Sequence, residues 1–173
     1  MLRMSNLKWY KYDWIWNKKL AGNGILAKIQ PLKIHENILI FSNGKCLYYP
    51  IIKYGKIRIK NGLKNSKGAF TSKNSKKTYN NEYKPKSILN YSNANFRGKN
   101  THPTQKPVDL LKYLICTYTN ENELVLDNCI GSGSTAVACH ETKRNFIGIE
   151  KDEQYFKIAQ QRIKDAQAQL TLF

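Results

Sequence analysis

Asp127, Gly131, Gly133 and Glu150 are the residues of this 173-residue chain whose types and spacing best suit binding chemistry. Leu124-Val125-Leu126-Asp127 reads as a buried strand, Gly131-Ser132-Gly133-Ser134 as a tight turn, and Thr135 to Glu141 as a helix. A glycine turn between a strand end and a helix start gathers backbone N–H groups at the positive end of the helix dipole. A Cβ at Gly131 or Gly133 would intrude on a ligand approaching that backbone. Phe146-Ile147-Gly148-Ile149-Glu150 is a second strand that also ends in an acid, so Asp127 and Glu150 both fall at the carboxyl edge, where open α/β sheets bind ligands. A carboxylate placed there suits the hydroxyls of a ribose.

The surrounding pattern supplies the elements that must hold this turn. Val108, Leu111, Leu114, Ile115 and Tyr118 recur at helical spacing, with Pro107 at the start and Asp109 in the first turn, where a missing N–H is harmless and a negative charge complements the dipole. A last helix carries Phe156, Ala159, Ile163, Ala166 and Leu170 on one face. Near the N-terminus, Tyr12 to Trp16 alternates and Asn37 to Phe41 is an apolar run closed by Ser42-Asn43-Gly44; both read as strands. Gly22-Asn23-Gly24 and Pro31 mark a long loop between them, and Trp14 and Trp16 share a face, which assigns them to packing. The fold class is therefore α/β. Gly131-x-Gly133-x-x-Ala136, with Glu150 about twenty residues on, also meets the dinucleotide fingerprint, so NAD and S-adenosylmethionine have to be separated by other residues.

Cys46, Cys116, Cys129 and Cys139 form no Cys-x-x-Cys pair, and His35, His102 and His140 do not cluster with them, so no metal is expected. Three of the four cysteines sit in apolar patterns, where a small buried hydrophobe is the simplest role. No apolar stretch approaches the ~18 residues of a membrane span, and Met1 to Met4 lacks the apolar run of a signal peptide, so a soluble, cytoplasmic protein is expected.

The net charge is +17, from 29 Lys and Arg against 12 Asp and Glu, and it is unevenly spread. Residues 1–44 hold 7 basic and 2 acidic groups, 45–100 hold 14 and 1, and 101–173 hold 8 and 9. The middle segment alternates Lys with Asn, Ser and Gly, as in Lys64 to Gly68 and Lys73 to Lys77, and reads as loop. Aromatic and planar groups (Tyr54, Phe70, Tyr79, Tyr83, Tyr91, Phe96, Arg97) are interleaved with its lysines, a mixture able to hold phosphates while rings stack on bases or pack locally. Nucleic acid is the expected partner.

His102-Pro103-Thr104-Gln105-Lys106-Pro107, then Asp127-Asn128-Cys129-Ile130-Gly131-Ser132-Gly133-Ser134-Thr135, then Phe146 to Glu150, together resemble the S-adenosylmethionine-dependent DNA amino-methyltransferases, the adenine-N6 and cytosine-N4 enzymes. The permuted order, with the cofactor half at the C-terminus, is similar to their beta group, and Lys33 to Phe41 is similar to their N-terminal strands. The resemblance implies a partial Rossmann-like fold, a mixed sheet flanked by helices with a basic loop-rich insert. It divides the chain into 1–44, strands of that sheet; 45–100, target recognition on double-stranded DNA; and 101–173, the S-adenosylmethionine-binding half. It also implies that Thr104, Gln105 and Lys106 line the methionine end of the cofactor, Asp127, Gly131 and Gly133 the bend around it, and Glu150 its ribose.

Two departures bear on activity. Where the family has Pro-Phe and Thr-Thr, this chain has Asn128-Cys129 and Ser134-Thr135, which implies weaker cofactor binding. The family's catalytic motif, Asp, Asn or Ser followed by Pro-Pro and an aromatic, takes up the flipped base's amino group; here Pro31, Pro50, Pro85, Pro103 and Pro107 include no adjacent pair, so no catalytic residue is assigned. The expectation is a site-specific DNA methyltransferase polypeptide, truncated or split and inactive alone, that requires an upstream fragment for the missing strands. The alternative is a non-catalytic nucleic-acid-binding protein with a methyltransferase remnant.

Overall fold

The computed structural model describes residues 2–60, 78–93 and 104–170. In chain order the elements are α1 (Leu2–Ser5), β1 (Tyr10–Asn17), a 3-10 turn (Gly24–Leu26), β2 (His35–Phe41), β3 (Lys53–Lys60), β4 (Thr78–Tyr83), β5 (Ile88–Asn90), α2 (Val108–Tyr118), β6 (Leu124–Asp127), α3 (Ser134–Glu141), β7 (Asn145–Gly148) and α4 (Glu153–Leu170). They divide into two units, one of residues 1–49 with 86–173 and one of Pro50–Pro85.

The larger unit contains two sheets. In the first, β1 pairs antiparallel with β2 and parallel with β5, giving the order β2-β1-β5. Trp14 and Trp16 face its core and are almost fully buried, packed with Leu89 of β5 and Leu110 of α2. Each indole finds an acceptor, as burial requires: Trp14 donates to the Tyr118 hydroxyl at 2.6 Å and Trp16 to the Tyr91 carbonyl at 2.8 Å. In the second sheet β6 and β7 run parallel, from Leu124 opposite Asn145 to Asp127 opposite Gly148. Val125 and Phe146 on its inner face pack with Ile115, Ala138 and Cys139.

Helix α2 serves both cores. Leu110 with Tyr113 and Leu114 faces the first sheet, while Val108, Leu111 and Ile115 face α3 and the β6–β7 pair. Among the described residues no strand pairing joins the two sheets. The outer face of the β6–β7 pair stays in solvent: Leu124, Leu126, Ile147 and Ile149 are all half exposed or more.

The smaller unit corrects the expectation of loop. β3 and β4 form an antiparallel hairpin with an irregularity between Tyr54 and Arg58. Lys53 to Ile57 are all exposed, so no alternating face is buried over these residues, and the strand pattern is masked by lysine. Gly55 lies under the Tyr83 ring, where a Cβ would come within 2.9 Å of Cε2, and the Tyr83 hydroxyl donates to the Lys56 carbonyl at 3.0 Å. The expected loop runs 64–68 and 73–77, like His102 and Pro103, lie outside the described residues. β5, also in the stretch read as loop, is a three-residue strand fixed by tertiary burial of Leu89.

Of the four cysteines only Cys139 is buried; Cys46 and Cys116 are half-buried and Cys129 is exposed. Burial pushes the Cys139 thiol up to about 11, so it stays protonated at neutral pH and acts as core. Among the described residues no helix is long and apolar enough to cross a membrane, and no group of three His, Cys, Asp or Glu side chains could hold a metal ion.

Candidate cofactor-binding loop

The loop between β6 and α3 is tied to the carboxyl ends of both parallel strands. Backbone bonds run from Ile149 N–H to the Asp127 carbonyl at 2.9 Å and from Ile130 N–H to the Ile149 carbonyl at 3.0 Å, so the chain leaving β6 is stitched to the chain leaving β7. Gly131 and Gly133 take positive φ of 55° and 81°, the left-handed region that a side chain disfavours.

Glu150 holds the loop from the β7 side. Its carboxylate accepts the Asp152 N–H at 3.0 Å and the Gly131 N–H at 2.8 Å, one on each oxygen. Those two donated bonds hold the carboxyl below its ordinary range and keep it ionised at neutral pH. The hold is complete above the usual carboxylate pKa of about 4.3 and is lost as pH falls through the lowered folded value.

Asp127 holds the loop from the β6 side. One oxygen accepts the Thr135 hydroxyl at 2.6 Å and the other the Cys129 N–H at 3.1 Å, which bridges the strand end to the first turn of α3. Thr135, in the expected loop-to-helix junction, thus has a defined role in orienting the Asp127 carboxylate.

The three residues before α2 separate. Gln105 reaches the loop, its side-chain carbonyl accepting the Ser132 hydroxyl at 3.1 Å. Thr104 is exposed in the turn before it. Lys106 is directed to the first sheet instead: its ammonium lies 3.5 Å from a Glu36 oxygen and 5.7 Å from the centre of the Trp16 ring. Lys106 precedes Pro107, which favours extended backbone, and successive side chains of an extended chain point to opposite sides. Gln105, Asp127, Gly131, Gly133 and Glu150 are therefore brought together, while Lys106 braces the segment from behind.

Two α4 residues complete the support: Ala159, already on the apolar face that spacing assigns to this helix, and Arg162, which pattern does not single out. Ala159 packs under Gly133, where a Cβ would sit 3.0 Å from the Ala159 Cα. Arg162, one turn later, donates to the Ser132 carbonyl at 2.6 Å and to the Ser132 and Ser134 hydroxyls at 2.9 and 3.2 Å. The available signal was a lone arginine inside the apolar stripe Ala159, Ile163, Ala166.

The family model described as DNA methylase matches residues 1–161. A type II methyltransferase of Lactococcus lactis subsp. cremoris, M2.LlaDCHI, is 45% identical over 62 residues, 36% of this chain and 23% of that protein. The HindIII methyltransferase of Haemophilus influenzae is 41% identical over 80 residues, 43% of this chain and 26% of that protein. Among solved structures, the M1.HpyAVI–SAM complex superposes with a TM-score of 0.59 at 26% identity, covering 89% of this chain and 62% of that one. The cytosine-N4-specific PvuII DNA methyltransferase superposes with a TM-score of 0.60 at 18% identity, covering 95% and 59%, a likeness of fold. The matched part is a third or less of the curated relatives' length and about three-fifths of these structures. With a Rossmann-like α/β fold and a carboxylate-tied glycine loop at the strand ends, the chain belongs to the DNA methylase family, the adenine-N6 and cytosine-N4 amino-methyltransferases.

Proposed function

We propose that this chain is the cofactor-binding and DNA-recognising part of a site-specific DNA amino-methyltransferase, and that it transfers no methyl group by itself. The observation that carries the cofactor reading is the Glu150 carboxylate, ionised and fixed beside the Gly131 N–H at the ends of two parallel strands. An anionic oxygen pair with lone pairs to spare suits the two hydroxyls of a ribose, and the donor set therefore fits S-adenosylmethionine. That group, when bound, supplies a methyl on a positively charged sulfonium. Glu150 would accept from the ribose hydroxyls, while Asp127 and Gln105 would position the loop around the rest.

Calorimetric titration with S-adenosylmethionine tests this reading, with a saturable heat expected from the full chain. Glu150→Gln keeps the size of the side chain but leaves one acceptor oxygen for two backbone donors, so the Gly131 or the Asp152 N–H loses its partner. Affinity should fall by about tenfold to a hundredfold. An equal heat in wild type and variant would refute the assignment of Glu150, and no heat in either would refute the cofactor reading and favour a methyltransferase remnant.

The basic hairpin supports DNA as the partner. Lys53 and Lys56 are exposed in the β3–β4 unit, which also exposes Tyr54, in a chain segment holding 14 of the 29 basic residues. Replacing Lys53 and Lys56 with Ala should lessen the slope of log affinity against log salt for a duplex by about 2 if both neutralise phosphates. An unchanged slope would remove these two lysines from the DNA contact.

Inactivity alone rests on two observations. No adjacent prolines exist to form the base-binding motif. The face formed by Leu124, Leu126, Ile147 and Ile149 is left to water in a two-stranded parallel pair, an arrangement that parallel sheets avoid because both faces are normally covered. An upstream methyltransferase fragment that supplies the missing strands and covers this face would satisfy both.

A further inference from the structure

Arg162 sets a charge against the Gly131–Ser134 loop. It is half-buried, and burial pulls its guanidinium below the ordinary range. Among the described residues no carboxylate pairs with it. A methionine would fill a similar space between α4 and the loop without the cost of desolvating a cation. What the guanidinium alone supplies is its set of donated bonds, to the Ser132 carbonyl and to both serine hydroxyls that flank Gly133.

These bonds have a direction. Arg162 occupies acceptor capacity on Ser132, so the Ser132 hydroxyl gives its proton outward to the Gln105 carbonyl. A chain of bonds therefore runs from α4 through the loop to the segment before α2, three parts of the sequence that meet at Ser132. Gly133 reinforces it one turn earlier on α4, at Ala159.

We infer that Arg162 is a positioning residue, which fixes the Gly131–Ser134 loop and Gln105 in one arrangement for the cofactor. The inference rests on the cofactor reading above only for its last step. Its own content is mechanical: without the guanidinium the loop loses its hydrogen bonds to α4 while the helices, and Gly133 on Ala159, keep their packing.

Amide hydrogen exchange on the full chain tests that content directly, with Arg162→Met and Arg162→Lys compared to wild type. In Arg162→Met, exchange at Gly131 to Thr135 should rise about tenfold or more, while α2 and the middle of α4 keep their protection. Arg162→Lys should restore part of the loop protection, because an ammonium can reach one or two of the three acceptors. Calorimetry with S-adenosylmethionine should show affinity following the same order, weakest in Arg162→Met by about tenfold. Unchanged loop exchange in Arg162→Met overturns the inference, as does a uniform rise across α3 and α4, which would make Arg162 a stabilising residue only. Absence of heat from wild type would instead sink the cofactor reading, with the exchange contrast still deciding whether Arg162 holds the loop.

Discussion

Transfer of tritiated methyl groups from S-adenosylmethionine to duplex DNA should stay at background with the purified chain, and should rise by roughly a hundredfold or more when a methyltransferase fragment carrying the proposed complementary strands and a Pro-Pro-aromatic motif is added. The described residues bring a tied glycine loop and a basic hairpin, and the sequence has no adjacent prolines to form the family's base-binding motif. Binding contacts without groups placed at the reacting atoms lower no barrier. The exposed face of β6 and β7 gives the experiment its internal control. Leu126→Asp and Ile147→Asp alter side chains that are 64% and 50% exposed in the chain alone, so each should leave its melting temperature nearly unchanged. The same carboxylates would be buried unpaired once a partner covered the face, and complementation should fall steeply. Methyl transfer by the chain alone would overturn the proposal. Complementation that tolerates both aspartates would show that the fragment docks elsewhere.

The parts of this architecture that were legible in sequence are those whose side chains are buried on one face or whose backbone demands a particular residue. Helix α2 announces itself through Pro107, Asp109 and an apolar spacing that feeds two cores, and its observed bounds coincide with that pattern. The β6-loop-α3 unit is equally plain, since short apolar strands bracket glycines that do adopt positive φ. β3 and β4 were hidden for the opposite reason: Lys53 to Ile57 are exposed throughout, so this stretch has no buried side to impose alternation, and its lysines look like loop. The roles of Lys106 and Arg162 were hidden by geometry. Adjacent residues in an extended segment face apart, so Gln105 joins the loop while Lys106 turns to Glu36 and Trp16. Arg162 interrupts an apolar stripe, and only the fold reveals that the loop supplies its acceptors.

Replacement of Gly133 by Ala should be among the most damaging single-methyl changes, and Gly44 provides the reference that isolates why. Both glycines have left-handed backbone, at φ of 81° and 90°. A Cβ at Gly44 meets nothing within 4 Å, so Gly44→Ala carries only the conformational cost, about 1 kcal/mol. At Gly133 the new methyl would sit 3.0 Å from both the Cα and the Cβ of Ala159 and 3.3 Å from its carbonyl oxygen. Helix backbone cannot swing aside as a flexible side chain can, so α4 must shift away from the loop, adding about 1–3 kcal/mol of overpacking. Gly44→Ala should therefore lower the melting temperature by roughly 2–4 °C, and Gly133→Ala by roughly 5–12 °C. The displacement also moves Arg162, which shares the helix and one turn of spacing with Ala159, so loop exchange and cofactor affinity should deteriorate together in Gly133→Ala and neither should change in Gly44→Ala. Equal melting shifts in the two variants would mean that the loop does not rest on α4, and the account of both Gly133 and Arg162 would fail with it.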